Sequence, residues 1–277
     1  MLEFIPQAVE RVREITGEAE VSMVGWSMGG IMILLYTAIH EERPGGSGVR
    51  NIVTLGSPVD FGKLFPFNIL IHFAHSPLSR AIDLFGNIPP FLTRNGFKLL
   101  APLASLRRYR LLWEHYYDRE WVAGFETIQD WADSFIPYPG AAFKQFITDF
   151  IKEDKLRSKK LEIGEHVVDL SRVKSALLAF SGTTDKVAVP PSVDPVVELV
   201  GSSDTTIEHV PLGHIGMVAG SGAPKYVWAP MTAWLAERSK PVASEQPRAS
   251  KKAMRRRRTR RPPERGTSKT LPPDSSI

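Results

Sequence analysis

The pentapeptide Gly25-Trp26-Ser27-Met28-Gly29 constrains this chain more than any other stretch. It fits Gly-x-Ser-x-Gly, the pattern of a serine presented on a sharp strand-to-helix turn. Residues 21–24, Val-Ser-Met-Val, predict a short buried strand, and residues 30–38, Gly-Ile-Met-Ile-Leu-Leu-Tyr-Thr-Ala, predict an apolar helix. Such a turn strains the serine backbone, and the flanking glycines leave the room that it needs. The hydroxyl then stands above the sheet. The free N–H groups of the helix, that of Met28 first, point at any oxyanion formed there. Ser27 is therefore the candidate nucleophile, and the Met28 backbone N–H the candidate oxyanion donor. The bland alternative is a glycine-rich helix start with an incidental serine; a strand before and a helix after weigh against it. The apolar run 21–39 invites a membrane-span reading, but Gly25, Gly29 and Gly30 within it fit a buried strand-turn-helix better.

A serine nucleophile needs a base, and the base needs an orienting acid. Enzymes with this turn order them Ser, then Asp or Glu, then His. Residues 176–182, Ala-Leu-Leu-Ala-Phe-Ser-Gly, read as a strand running into a turn that holds Asp185. Residues 206–210, Thr-Ile-Glu-His-Val, read as the next strand, which leads into Pro211-Leu212-Gly213-His214-Ile215-Gly216. Both candidates sit just past the C-terminal end of a strand, where open α/β sheets place ligands. His214, in a glycine-flanked loop, is preferred as base to His209, which lies within the strand and reads as structural. Asp185 is preferred as acid to Asp60, which follows a strand at 51–55 and serves equally well as a turn or cap residue. Asp194 and Asp204 read as loop residues, and His40, His72, His75, His115 and His166 as surface or packing residues.

Strands alternate with helices at 21–25, 51–55, 176–181 and 206–210, and an amphipathic helix with Phe4, Ala8, Val9, Val12 and Ile15 on one face opens the chain. Residues 61–165 interrupt that alternation. They are rich in aromatics, Trp113, Trp121 and Trp131 among them, and are punctuated by Pro66, Pro77, Pro89, Pro90, Pro102, Pro137 and Pro139. The stretch reads as an inserted helical cap that shapes an apolar pocket, although most of its aromatics pack it against the core. From residue 240 the composition turns to Pro, Ser, Lys and Arg, with twelve Lys/Arg against three Asp/Glu over 240–277. The whole chain is only +5, so the basic character belongs to this tail, which is expected to be disordered. The tail reads as a solvated extension or as a contact for anionic surfaces. No aromatic interleaves its arginines, so base stacking and specific nucleic-acid recognition are not expected. The chain has no cysteine, which excludes disulfides and thiolate metal sites and suits a reducing cytoplasm. The N-terminus shows no signal-peptide pattern.

The chain resembles the polyhydroxyalkanoate synthases, a branch of the α/β-hydrolase superfamily, from about residue 5 to 238. The resemblance rests on the turn, on Gly56-Ser57-Pro58-Val59-Asp60-Phe61, on Trp131-Ala132-Asp133-Ser134, on Val168-Asp169-Leu170-Ser171 and on Gly213-His214-Ile215-Gly216-Met217-Val218-Ala219-Gly220. It implies an α/β-hydrolase fold with core segments 1–60 and 166–239, the cap at 61–165 and the tail at 240–277. It carries the family's catalytic Asp and His to Asp185 and His214, and it sets Ser27 where the family has cysteine. It also implies a cap that gates substrate and contributes to a homodimer. In this fold several strands normally precede the helix before the turn, and one of them leads to the second oxyanion donor. None is visible here. The sheet is thus expected to be N-terminally incomplete, with an uncovered edge and half an oxyanion hole, by truncation rather than by supply from a partner chain. Three functions follow: acyl transfer from hydroxyacyl-CoA through Ser27; hydrolysis of esters, thioesters or polymer on the same scaffold; or non-catalytic binding at granules or anions. Self-contained Ser-His-Asp chemistry calls for no metal or diffusible cofactor.

Overall fold

A computed structural model describes residues 3–239 apart from 66, 101–103 and 135. In chain order the elements are helix α1 (Phe4–Thr16), strand β1 (Val21–Trp26), α2 (Met28–His40) and β2 (Val49–Leu55). A helical stretch follows: α3 (Phe67–Phe85), α4 (Pro90–Leu100), α5 (Ala104–Glu114), α6 (Arg119–Asp133) and α7 (Gly140–Gln145), which runs on as a π-helical segment, Phe146–Lys152. The hairpin β3 (Glu162–Ile163) and β4 (His166–Val167) leads to β5 (Ala176–Gly182), α8 (Pro190–Val193), α9 (Val196–Leu199), β6 (Thr205–Val210), α10 (Gly216–Ala219) and α11 (Ala229–Arg238). The described residues up to Arg238 form one compact unit. The expected disordered tail, 240–277, lies outside the described residues.

The main sheet has the order β1-β2-β5-β6, every neighbouring pair parallel. Alternation along the strands feeds two cores. Ile52, Leu177 and Ala179 face a large cluster with Ile31, Leu34 and Leu35 of α2 and Ile147 and Phe150 of the π-helical segment. Val53, Leu55, Leu178 and Phe180 face a smaller one with Val210, Met217 and Trp234. The period-2 switch between Leu177 and Leu178 is what lets one strand bury both faces. Phe180 is fully buried, and side chains of that kind cost about 3–5 kcal/mol when cut to alanine.

The structure corrects two local expectations, the burial of the strand at the turn and the punctuation at Pro77. The strand at the turn is not buried throughout. Among the described strands β1 pairs on one side only, with β2, and its Ser22 and Val24 are exposed, Val24 by 48%. The apolar stripe of α1 is likewise open: Phe4 (70%), Ala8, Val12 and Ile15 (67%) face outward, while Val9 meets the core. Pro77 does not punctuate; α3 runs through it. The hairpin β3–β4, two residues a side, is too short for a periodic signal. The run 21–39 is strand, turn and helix, and among the described residues no helix is long and apolar enough to cross a membrane.

His40, at the end of α2, is buried, and its Nδ1–H donates to the Tyr36 carbonyl at 2.9 Å. Burial holds its pKa below the ordinary 6.5, with Arg43 and His166 adding to the effect and the Tyr36 carbonyl opposing it. Nε2 is buried without a partner, so protonation would place a second N–H where nothing accepts it. The folded pKa lies below the unfolded one, so the unfolded chain binds the proton first and stability falls as pH drops below about 6.5. Thermal midpoints measured from pH 7.5 to 5 should fall more steeply for the wild type than for His40→Leu.

Candidate functional site

The turn between β1 and α2 is built by backbone contact. A Cβ on Gly25 would lie 2.5 Å from the Gly30 nitrogen, so only glycine lets the strand end pass the first turn of the helix so closely. Ser27 is left at φ 53°, ψ −121°, a region that residues with a Cβ avoid. Its N–H donates to the Leu55 carbonyl at 2.8 Å, which ties the turn to the end of β2. Ser27 is the N-cap of α2, yet its side chain caps nothing. The hydroxyl is therefore free, and Met28, the first helical residue, has an N–H with no intrahelical acceptor.

The acid and the imidazole meet at the same rim. His214 Nδ1 lies 2.7 Å from Asp185 Oδ2. Asp185 is fully buried, and its Oδ1 accepts from the backbone N–H groups of Val187 (2.7 Å) and Ala188 (2.9 Å). A buried carboxylate with three donors is held in one orientation. It in turn fixes the His214 ring, whose side chain is 12% exposed, with Nε2 directed away from the acid. Neither Ser27 Oγ nor His214 Nε2 takes a hydrogen-bond partner among the described residues; nucleophile–base contacts are often loose in a site without substrate. Asp60 has a different occupation. It is buried, its N–H donates to the Ser192 carbonyl, and its carboxylate pairs with Arg157. His209 pairs with Asp194 at 3.0 Å, and Asp204 with Arg238 at 2.7 Å. Among the described residues no cluster of three or more His, Asp or Glu could hold a metal ion.

Two residues of the site carry no role in the reading of the sequence. Gly56, at the end of β2, has φ +52°; a Cβ there would lie 2.7 Å from Met217 Cε and 3.2 Å from both Asp185 Oδ2 and His214 Nδ1. The signal for it was a glycine directly after a buried strand. Trp26 donates from Nε1 to the His214 carbonyl at 3.1 Å. It occupies a variable place of the motif, where the sequence holds no signal.

A strained serine on a strand-turn-helix, with a buried Asp–His pair beyond the next strands of a parallel sheet, defines the α/β-hydrolase architecture. Residues 2–216 match the family described as the alpha/beta hydrolase fold, and the chain belongs to it. It is similar to the poly(3-hydroxyalkanoate) polymerase subunit PhaC of Haloferax mediterranei, 28% identical over 88% of this chain and 49% of that protein. It is also similar to that of Allochromatium vinosum, 30% identical over 85% of this chain and 65% of that protein. The chain thus spans about half to two thirds of the length of these curated relatives. Solved structures share the fold at low identity. They include a Paleococcus ferrophilus monoacylglycerol lipase (16% identical, TM-score 0.50, 86% of this chain and 76% of that one) and an epoxide hydrolase mutant from Bacillus megaterium (13%, 0.53, 85% and 74%). The chain is thus an α/β-hydrolase-fold protein whose sequence is similar to the polyhydroxyalkanoate polymerase subunits.

Gly56→Ala combines a costly positive φ with a methyl group driven at the Asp–His pair. A displacement of about 1 Å at such a pair costs roughly 100-fold in rate. Ester turnover by Gly56→Ala should fall by about that factor with the far-ultraviolet circular dichroism unchanged.

Proposed function

We propose that the chain is an acyl-transfer enzyme that acts on hydroxyacyl thioesters through a covalent acyl-serine on Ser27. The observation that supports this most is the 2.7 Å His214–Asp185 contact at the rim that also carries the strained serine. In this reading Ser27 Oγ attacks the substrate carbonyl and His214 Nε2 takes the hydroxyl proton. Asp185 holds the tautomer with Nδ1–H toward itself and balances the imidazolium. The Met28 N–H stabilises the tetrahedral oxyanion. Collapse breaks the C–S bond; the thiolate leaves as thiol with the proton from His214, and the acyl group remains on Ser27 as an ester. A hydroxyl then gives its proton to His214 and attacks that ester; as the acyl C–Oγ bond breaks, His214 returns the proton to Ser27 Oγ and the serine is freed. When the hydroxyl belongs to a hydroxyacyl chain, the product is polymer of the kind that the relatives' names specify.

Hydrolysis is the second reading, and Ser27 itself favours it. A serine oxyester is a more stable resting point than a thioester, and a serine hydroxyl is hardly ionised without its base, whereas a thiol is a few per cent thiolate near neutrality. Water as the second acceptor gives free hydroxy acid. By similarity to the polymerase subunits, the enzyme works in the cytoplasm at polymer granules and pairs as a homodimer through its helical insertion. The twelve Lys/Arg of residues 240–277 suit contacts with anionic surfaces there.

The test is incubation with 3-hydroxybutyryl-CoA and, separately, with a p-nitrophenyl ester, following CoA, polymer, hydroxy acid and nitrophenol. CoA release with polymer supports transfer; hydroxy acid without polymer supports hydrolysis. No turnover and no fluorophosphonate label on Ser27 would overturn both. Ser27→Ala should abolish labelling and lower turnover by roughly 10³-fold or more, and Asp185→Asn should lower kcat by roughly 10⁴-fold through the wrong tautomer. Ser27→Cys should raise the ratio of polymer to free acid, measured by chromatography of the products.

A further inference from the structure

Residue Trp26 links three parts of the molecule that the catalytic reading treats separately. It is the last residue of β1 and directly precedes Ser27. Its indole Nε1–H donates to the His214 carbonyl at 3.1 Å, across 188 residues of sequence. Its ring centroid lies 5.1 Å from the His214 imidazole at a 41° tilt. It also lies 5.9 Å from the ring of Trp131, which comes from α6 in the helical insertion and is 55% exposed. Among the described residues this indole pair is the ring contact that joins α6 to the rim of the sheet.

We infer that Trp26 is a positioning residue that sets the separation of the nucleophile from the base, and that Trp131 couples the helical insertion to it. The inference rests on the catalytic reading of Ser27 and His214 given above. Asp185 fixes the imidazole ring, but a ring can be held while its backbone swings. Gly213 and Gly216 flank His214, so the peptide that carries it gains little stiffness from its neighbours. The turn bonds from Leu212 N–H to Val210 O and from Met217 N–H to Gly213 O hold the loop on either side of the His214 carbonyl. The indole N–H supplies the bond at that carbonyl. Because Trp26 and Ser27 are consecutive, the tether starts one peptide from the attacking hydroxyl. Strand β1 therefore positions Ser27 through its backbone and His214 through a side chain. Any shift of α6 that moves the Trp131 ring bears on the same indole, so seating of the insertion over the site is felt at the base without contact between α6 and His214 being needed.

The experiment uses the full chain and two substitutions. Trp26→Phe keeps an aromatic ring for Trp131 and the core and removes the N–H. Trp131→Ala removes the contact from the insertion. One neutral hydrogen bond corresponds to roughly a two- to tenfold change. Trp26→Phe is expected to lower kcat and the fluorophosphonate labelling rate of Ser27 by that factor, with KM and the thermal midpoint unchanged. It is also expected to raise the rate at which diethyl pyrocarbonate modifies His214, followed by peptide mass spectrometry. Trp131→Ala should lower kcat in the wild-type background and have a smaller effect in the Trp26→Phe background. A Trp26→Phe variant with wild-type kcat and an unchanged His214 modification rate overturns the tether. Additive effects of the two substitutions overturn the coupling. Should the wild-type serine take no fluorophosphonate, the catalytic reading fails. The His214 modification rate, which needs no turnover, then decides the tether by itself.

Discussion

The approach of Gly25 to Gly30 is the constraint on which the rest of the site depends. The backbone of the strand end and that of the helix start come so close that a single methyl group between them would overlap the Gly30 nitrogen. This contact fixes the angle at which α2 leaves β1, and that angle leaves Ser27 at a positive φ. The cost of the strained residue, of order 1–3 kcal/mol, is met by the apolar burial of α2, whose Ile31, Leu34 and Leu35 sit in the larger core. The helix is thus both the structural anchor that enforces the turn and the source of an N–H without an intrahelical acceptor next to Ser27.

The same logic places the other groups. Asp185 and His214 follow β5 and β6, and parallel pairing brings the C-terminal ends of β1, β2, β5 and β6 to one rim. The Asp–His contact needs no long-range search once those strands are paired. Gly56 then matters for what it lacks: its backbone passes against the acid and the imidazole, and the space that a side chain would occupy is already taken by them and by Met217. A residue at the end of β2 thereby belongs to the site although it brings no functional group.

Much of this was legible in the sequence, for physical reasons that differ between elements. Strand β5 announces itself because both faces are buried, which gives a near-continuous apolar run, and β2 does so through Ile52-Val53-Thr54-Leu55; β1 and α2 do so through the glycine pattern between them. His214 stands out against His209 because a ring in a glycine-flanked loop can turn to a partner, whereas His209, on β6, meets Asp194 at the surface. The burial of β1 and the orientation of α1 were not legible, since periodicity tells which residues share a face but not whether anything covers that face. Phe4, Val12 and Ile15 share one, and it is open. The bond from Trp26 to the His214 carbonyl was invisible for another reason: it joins a side chain to a backbone atom, and no pattern of residue types encodes the acceptor.

If Ser27 is the nucleophile of the proposed mechanism, its backbone sets chemistry and stability against each other at a single position. With φ 53° and ψ −121°, it holds a conformation natural to glycine and uncomfortable for every other residue. A drift from serine to glycine would relax the polypeptide while leaving the rim silent, so thermal robustness alone would favour the inert form. In the proposed acyl-serine mechanism the serine answers a demand that folding does not make.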